Sequence, residues 1–298
     1  MALGEARRNH LDVRAQRGGA PIACFDWGGC AAHLETTDRS IVSALKRFLT
    51  LDPRDETRLP PNSEGSAVAI LGKDRGSLVR TSAWQAWASE HDQLLYLVLE
   101  ALGQIFVEGY GGTVFHAGAI DLGQGALAIH GPSLSGKSSL AYCALRRGFD
   151  VISDDRVTLG ADHDTVHPFP RCLKLRCQTD EEARVLAEGV PPHLVAKAVV
   201  GNERRVIFAR SLPGFVGYDE ARPIRALIQL ERIESGVRLE RIEPSAVLEV
   251  ALRNIVSSDF NPTAVVRLIK SQSDQHRLYR LAIGEGQTEA ALDLLQTL

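Results

Sequence analysis

One short segment limits the folds open to this chain more than any other: residues 131–138 read GPSLSGKS. A glycine, four further residues and then Gly-Lys-Ser is the pattern of a phosphate-binding loop. The segment lies between a strand-like run, GALAIH, and a helix-forming run, SSLAYCALRRG, as such a loop requires. Loop N–H groups and the N-terminal end of the following helix then bind phosphate oxygens. The segment therefore predicts an α/β fold with a nucleotide site.

Each residue type in this loop has a physical role in holding a nucleotide. Lys137 would place its charge on the outer phosphates, and the hydroxyl of Ser138 would bind Mg²⁺. Gly136 would let the backbone approach the phosphates closely. The residues predicted to contact the nucleotide are Gly131, Ser133, Leu134, Ser135, Gly136, Lys137, Ser138 and Ser139.

Two adjacent carboxylates, Asp154 and Asp155, end the next strand-like run, FDVISDD. An Asp pair at a strand end is often a solvated turn or a helix cap. One of the two can instead hold Mg²⁺, and the other can take the proton of an attacking hydroxyl. In that second role the neighbouring charge would raise the pKa of the proton acceptor.

A histidine upstream of the loop adds to this pattern. His116, in TVFHAGAI, begins the predicted hairpin that leads into the loop, so its side chain is expected to reach the carboxylates. A lone histidine in a strand is more commonly a satisfied core residue, and His130 is expected to be structural. With the Asp pair, His116 favours transfer of phosphate to an alcohol over simple nucleotide hydrolysis.

Composition narrows the classes of protein further. The formal net charge of −3 argues against a general nucleic-acid binder, which normally carries a basic excess. The cysteines and histidines show no zinc-ligand spacing. No apolar run approaches the roughly 18 residues that span a bilayer, and the first residues lack the apolar segment of a secretory signal. We expect a cytoplasmic protein with neither a membrane nor a nucleic-acid partner.

Turn formers and apolar periodicity divide the 298-residue chain into three parts. Residues 1–82 show short apolar runs broken by Pro, Gly, Asp and Asn, which predict a small α+β domain with a helix at Ser40–Leu51. Residues 83–109 predict a connecting helix, because apolar residues recur at helical spacing from Trp84 onward. Residues 110–298 predict the P-loop domain, an α/β core with a mixed sheet flanked by helices.

The last third of the chain contains further element patterns. IRALIQLERI and VRLERIE alternate polar and apolar residues on either side of ESG, which predicts a hairpin. A helix is expected to begin at Pro244, because proline suits the first helical turn. TEAALDLLQTL predicts a terminal helix.

Taken together, the central motifs resemble a known family. HAGAIDLGQGALAIHGPSLSGKSSLAYCALRRGFDVISDDRVTL is similar to the core of HPr kinase/phosphorylase, which shows a histidine, a hairpin, a GKS loop, a helix ending in RG and then DD. That family has a fold akin to phosphoenolpyruvate carboxykinase and phosphorylates a seryl hydroxyl of a protein. The resemblance is sharp over about residues 113–176.

The resemblance implies roles for individual residues. Asp154 would be the catalytic base, His116 its electrostatic partner, and Lys137 would hold the triphosphate of ATP. Ser138 and Asp155 would bind Mg²⁺.

The segment HPFPRCLKLR also looks like part of the broader HPr-kinase-like group. There, Arg171, Lys174 or Arg176 would meet phosphate or substrate charge. An equally supported interpretation is that these three residues are solvated charges on a strand.

Departures from the family pattern suggest a relative with another acceptor that acts only as a kinase. Glycine usually stands where this chain has Leu134. The N-terminal 80 residues do not resemble the family's usual first domain, and no dephosphorylation signature stands in the final third. HPr-kinase-like proteins of this length occur beside genes for ribosomally made peptides, including lasso peptides, and the family tends to form oligomers. The resemblance therefore implies a peptide-tailoring kinase, and it leaves a homo-oligomer open.

The sequence leaves several functions open. The first is an ATP- and Mg²⁺-dependent kinase acting on a hydroxyl, foremost a serine of a peptide or protein. A small alcohol is a further acceptor, and carboxykinase-like chemistry would need extra metal ligands. The second class is an ATP-binding regulatory or scaffold protein without phosphoryl transfer. Retention of His116, Asp154 and Asp155 counts against that class, because a pure binding module has little need of all three.

Overall fold

The computed structural model describes residues 22–56, 66–73, 76–256 and 262–298, which form a mixed α/β structure. The rest of the predicted N-terminal domain, residues 1–21, 57–65 and 74–75, lies outside the described residues. None of the helices among the described residues is long and apolar enough to cross a membrane.

The N-terminal part forms one mixed sheet and two helices. Its elements are β1 (Ile22–Trp27), β2 (Cys30–Glu35), α1 (Arg39–Leu49), β3 (Arg54–Glu56), β4 (Ala67–Lys73), β5 (Gly76–Arg80), β6 (Gln85–Ala88) and α2 (His91–Gly109). The strand order is β3-β1-β2-β4-β5-β6. Helix α1 confirms the helix expected at Ser40–Leu51, and it begins after Asp38, whose side chain accepts a 2.8 Å hydrogen bond from the N–H of Ser40.

The helix expected from Trp84 onward is only partly correct. The first residues of that stretch form strand β6, which pairs antiparallel with β5, and helix α2 begins at His91. Pairing with β5 makes residues 85–88 a strand, and the apolar spacing within a single segment does not reveal such a pairing. The first sheet thus extends past residue 82, and the division into domains stays a prediction.

The remaining elements follow in chain order. They are β7 (Val114–Phe115), β8 (Ala117–Asp121), β9 (Ala126–His130), α3 (Lys137–Arg146), β10 (Asp150–Ser153), β11 (Val157–Leu159), β12 (Thr165–Pro168), β13 (Leu173–Cys177), α4 (Asp180–Leu186), β14 (Val195–Val200), β15 (Glu203–Phe208), β16 (Arg222–Arg232), β17 (Val237–Arg241), α5 (Pro244–Arg253), α6 (Pro262–Asp274), β18 (Leu278–Ile283) and α7 (Thr288–Leu295). Helix α5 begins at Pro244 as expected, and α7 is the expected terminal helix.

A large mixed sheet forms the centre of this part, in the order β10-β8-β9-β16-β12-β11-β7. Strands β8 and β9 form the expected hairpin, with Ala117 opposite His130. The hairpin predicted from IRALIQLERI and VRLERIE is wrong. Strand β18 lies between β16 and β17, parallel to the first and antiparallel to the second. Alternation in two strands cannot reveal that a third strand from later in the chain separates them.

Helices cover both faces of this sheet. Helices α5 and α6 pack on one face through residues such as Val247 and Leu268, and α3 and α7 pack on the other through Leu140 and Leu292. A further sheet, β13-β15-β14, contacts α3 with one face and α2 with the other. Helix α2 therefore packs directly against the part of the chain that carries the GPSLSGKS loop.

Candidate active site

The order of three strands brings the predicted site residues to one edge of the central sheet. Strand β8 is antiparallel to both of its neighbours, β9 and β10. The carboxyl ends of β9 and β10 therefore point the same way, and the beginning of β8 lies between them. His116 precedes β8, Gly131 follows β9, and Asp154 follows β10. The Asp pair thus lies two strands from the loop, with His116 between them.

The loop adopts the strained backbone that its glycines permit. Gly131 has φ 156° and Gly136 has φ 107°, both in a region that favours glycine. Leu134 has φ 67°, and its side chain is 67% exposed. A non-glycine residue in the left-handed region costs about 1–2 kcal/mol. The glycine usual at this position in the resembling family would avoid that strain.

Lys137 is buried beneath the loop. Its Nζ donates hydrogen bonds to the carbonyl oxygens of Gly131 (2.9 Å) and Pro132 (3.0 Å). Burial lowers the pKa of Lys137, and the charges of Asp155 and Asp154 oppose that shift. The ammonium group is therefore held inside the loop, on the side of the two carboxylates.

The loop faces a cleft of about 210 Å³. Its lining residues are His116, Ser133, Leu134, Gly136, Lys137, Ser138, Ser139, Asp155, Leu175, Arg176, Arg205 and Arg232. Pockets for whole small molecules usually exceed ~300 Å³. The cleft is thus smaller than a pocket that encloses a whole small molecule.

Asp154 lies behind this cleft rather than in its lining. Its side chain is buried, with the residue 3% exposed, and Oδ2 accepts a 3.3 Å hydrogen bond from the N–H of Lys174. The nearby hydroxyl of Ser138 acts to lower the pKa of this carboxyl group, against the effect of burial. Within the described residues, Oδ1 of Asp154 has no hydrogen-bond partner. Burial, and then the charge of Asp155, raise the pKa of Asp154 above its ordinary value.

Asp155 has a different environment. Nδ1 of His116 lies 3.2 Å from Oδ1 of Asp155, and Nε of Arg171 lies 2.9 Å from Oδ2. Burial would raise the pKa of Asp155, but the charges of Arg171 and His116, followed by Lys174 and Arg156, outweigh it and lower the pKa. Burial lowers the pKa of His116, opposed by Asp155. The expected contact of His116 with Asp154 is therefore replaced by a contact with Asp155.

The three basic residues expected to meet substrate occupy two environments. Arg171 and Lys174 have side chains that are 11% exposed, and both form ion pairs with Glu100 of α2. They are therefore not solvated strand charges. Arg176 lines the cleft and lies 3.0 Å from Glu203. Contact of any of the three with substrate stays a prediction.

Sequence reasoning missed several residues in this region, among them Glu100, Arg232 and Arg205, the last two of which line the cleft. Glu100 lies on a helix whose polar positions look like an ordinary solvated face, so nothing local in the sequence marks it. Arg232 ends β16, and its guanidinium lies 3.3 Å from where a Cβ on Gly136 would stand. The parallel pairing of β9 with β16 places Arg232 beside the loop, and only long-range sheet order reveals it.

Mg²⁺ binding can be tested against these side chains. In the described ranges, no group of three or more His, Cys, Asp or Glu side chains could hold a metal ion. Mg²⁺ at a phosphate-binding loop uses only one or two protein oxygens, with phosphate and water supplying the others. The hydroxyl of Ser138 and the unpartnered Oδ1 of Asp154 fit that donor set. Asp155, the carboxylate expected from the sequence to bind Mg²⁺, is instead engaged by His116 and Arg171.

Neither a family model nor a curated protein matches the sequence. Among solved structures, the Hpr(Ser) kinase/phosphatase from Coxiella burnetii is similar at 14% identity, over 62% of this chain and 92% of that chain, with a TM-score of 0.28. A TM-score of 0.28 does not establish a shared fold. Assignment of a function therefore depends on the residues and geometry of the site itself.

Proposed function

We propose that this chain is an ATP- and Mg²⁺-dependent kinase that transfers the terminal phosphoryl group to a hydroxyl. One observation carries the proposal. The His116–Asp155 pair lies at the cleft beside the GPSLSGKS loop, and the buried Asp154 lies behind it, next to Ser138. A site that only binds nucleotide needs the loop, whereas phosphoryl transfer also needs a group to accept the hydroxyl proton.

Each part of the site has a distinct task in this reaction. The loop and Lys137 bind the phosphates and stabilise the charge that spreads over the transferred group. Ser138 and Asp154 would hold Mg²⁺, which supplies positive charge at the phosphate oxygens when it is bound. Asp155 orients the ring of His116, which lines the cleft and can reach an incoming hydroxyl.

This division of tasks differs from the one that the family resemblance implies. There, Asp154 is the base and Asp155 binds Mg²⁺. We favour His116 as the proton acceptor because Asp154 is almost fully buried behind the cleft and His116 faces it. The lowered pKa of His116 keeps its ring neutral near pH 7, so that it is free to accept a proton.

We propose a serine of a peptide or small protein as the acceptor and the cytoplasm as the location. Support comes from the resemblance of residues 113–176 to HPr kinase/phosphorylase, whose acceptor is a seryl hydroxyl. Arginines at the cleft, Arg176, Arg205 and Arg232, would favour an acidic sequence beside that serine. A biosynthetic kinase that modifies ribosomally made peptides would fit both a seryl acceptor and an acidic sequence beside it.

The test is transfer of labelled γ-phosphate from ATP, with Mg²⁺, to serine peptides with acidic or basic flanking residues. Wild type, Asp154→Asn and His116→Gln are compared, with nucleotide affinity measured in parallel. We expect labelled phosphoserine with wild type and strong losses in both variants, with nucleotide binding retained in His116→Gln. Nucleotide binding without label on any acceptor, including small alcohols, would contradict the kinase proposal.

A second function is favoured by the conformation of the loop, and it is tested by the same transfer assay together with hydrogen exchange. Lys137 already donates hydrogen bonds to two loop carbonyls, and Leu134 holds the loop in a strained conformation. A nucleotide-sensing protein could use binding to release these contacts without transferring phosphate. For that function we expect tight ATP binding and no phosphoryl transfer. We also expect ATP to change the hydrogen-exchange protection of the loop amides strongly.

A further inference from the structure

Helix α2 carries a row of residues directed at the cations around Asp155. Tyr96, Glu100 and Gly103 stand at i, i+4 and i+7 and therefore share one face of the helix. Nζ of Lys174 lies 5.8 Å from the centre of the Tyr96 ring. The carbonyl oxygen of Gly103 accepts a 3.4 Å hydrogen bond from Nη1 of Arg156. We refer to these three residues of α2 as the α2 stripe.

Glu100 makes the strongest contacts of the α2 stripe. Its Oε2 accepts a 2.7 Å hydrogen bond from Nη2 of Arg171, and its Oε1 accepts one from Nζ of Lys174. Arg171 also reaches Asp155, with its Nε 2.9 Å from Oδ2. One guanidinium group therefore connects a carboxylate on α2 with the carboxylate that contacts His116.

Glu100 offsets part of the positive charge in this region. Arg156, Arg171 and Lys174, together with Lys137 of the loop, supply four cations, and Asp154, Asp155 and Glu100 can supply three carboxylates. The cations have little exposed side chain, so each needs a partner in the fold. Without Glu100, Arg171 and Lys174 would compete for the Asp pair alone.

We propose that Glu100 is a positioning residue of the phosphoryl-transfer site, because it holds Arg171 against Asp155 and thereby fixes the carboxylate that orients His116. This inference rests on the proposed kinase function. It extends the site beyond the loop-bearing segment to α2, which the sequence identifies only as a connecting helix. It also assigns Arg171 to the support of Asp155 rather than to contact with substrate.

The inference predicts an effect on turnover rather than on nucleotide binding. Glu100→Gln keeps the shape of the side chain and removes its charge. We expect kcat to fall about 10- to 100-fold, the usual range for residues that orient catalytic ligands, with the KM for ATP within about twofold. Glu108→Gln is the matched control on the same helix, because Glu108 is exposed and accepts a hydrogen bond from Gln104. The control is expected to behave as wild type.

A double-mutant cycle with His116→Gln separates positioning from a general structural role. If Glu100 acts through Asp155 on His116, Glu100→Gln causes no more than about a twofold further loss in the His116→Gln background. A loss of the same size in both backgrounds overturns the inference. Should Glu100→Gln fail to fold, Glu100→Asp keeps the charge and is expected to show a smaller kcat loss with the same dependence on His116.

The outcomes distinguish this inference from the proposed function. Wild type without transfer to any acceptor overturns both of them. Wild type that transfers phosphate, with Glu100→Gln equally active, overturns only the role of Glu100. A higher KM for ATP with unchanged kcat also overturns it, because Glu100 would then act on nucleotide binding.

Discussion

Nδ1 of His116 lies 3.2 Å from Oδ1 of Asp155, although the two residues adjoin different strands of the central sheet. Strand β8 begins just after His116, and β10 ends just before the Asp pair. A glycine helps the two strands approach. A Cβ on Gly118 would stand 3.2 Å from the carbonyl oxygen of Asp154. The contact therefore depends on both the strand order and a small residue in β8.

The first prediction concerns this contact. His116→Gln removes the ring that faces the cleft and preserves a polar side chain of similar length. We expect phosphoryl transfer to slow by about 10²- to 10⁴-fold, the usual contribution of a positioned base, with ATP affinity unchanged. Single-turnover transfer and equilibrium nucleotide binding check the two parts.

The control for this variant is His91→Gln. His91 forms a comparable histidine–carboxylate contact with Asp92, 3.6 Å long, at the exposed start of α2. Transfer by His91→Gln should match wild type. Equal losses in the two variants would mean that the effect of His116→Gln does not arise at the cleft.

A second prediction concerns Lys137. Lys137→Met keeps the length of the side chain and removes the charge that is held by the carbonyls of Gly131 and Pro132. Charged hydrogen bonds contribute about 1.5–3 kcal/mol, so we expect ATP to bind about 10- to 100-fold more weakly. Lys46→Met, at an exposed ion pair with Asp52, is the control. Unchanged ATP affinity in Lys137→Met would exclude the loop as the nucleotide site.

A third prediction uses the packing of the loop. A Cβ on Gly131 would stand 2.6 Å from the carbonyl oxygen of Leu230, a backbone atom that cannot move aside alone. Gly131→Ala should lower the free energy of unfolding by about 1–3 kcal/mol and weaken ATP binding as well. Chemical denaturation measures the first effect.

Gly123 provides the comparison for this variant. Its φ is +99°, and a Cβ there would meet nothing within 4 Å. Gly123→Ala thus introduces backbone strain without a clash, and it should be less destabilising than Gly131→Ala. The reverse order of stability would show that the close approach to Leu230 is unimportant.

A fourth prediction is a dependence of stability on pH. Burial would raise the pKa of Glu100, but Arg171 and Lys174 outweigh it and hold the pKa below the ordinary 4.5. A lowered pKa in the folded state means that the ionised form stabilises the fold. This contribution is complete above pH 4.5 and is lost as the pH falls through the folded-state pKa.

The difference in Tm between wild type and Glu100→Gln measures this contribution. We expect wild type to be the more stable of the two, by a constant margin between pH 5 and pH 7. The margin should shrink in acid below the ordinary pKa of the carboxyl group. A margin that stays constant into strong acid would show that Glu100 carries no stabilising charge.

The sequence was sufficient to predict the local parts of the site. The loop, the β8–β9 hairpin and helix α3 each depend on a short segment with its own pattern, and all three are present. The proximity of His116 to the acidic pair also follows from short connections. The sequence did not show which carboxylate His116 contacts. Successive side chains of an extended segment point to opposite sides, so a shift of one residue at the end of β10 exchanges the positions of Asp154 and Asp155.

The parts that could not be predicted depend on distant segments. Strand β18 separates β16 from β17, and the strand-like character of β18 does not specify its neighbours. Arg171 and Lys174 look like solvated charges until α2 packs against them and supplies Glu100. In each case the deciding contact joins residues that are far apart in the chain, and no local pattern records it.

The antiparallel placement of β8 has a consequence for the order in which the chain can fold. His116, the loop and the acidic pair all belong to one uninterrupted segment, residues 116–155, that folds back on itself through short connections. Closing short loops costs little entropy, so this segment can assemble its own contacts without waiting for distant strands.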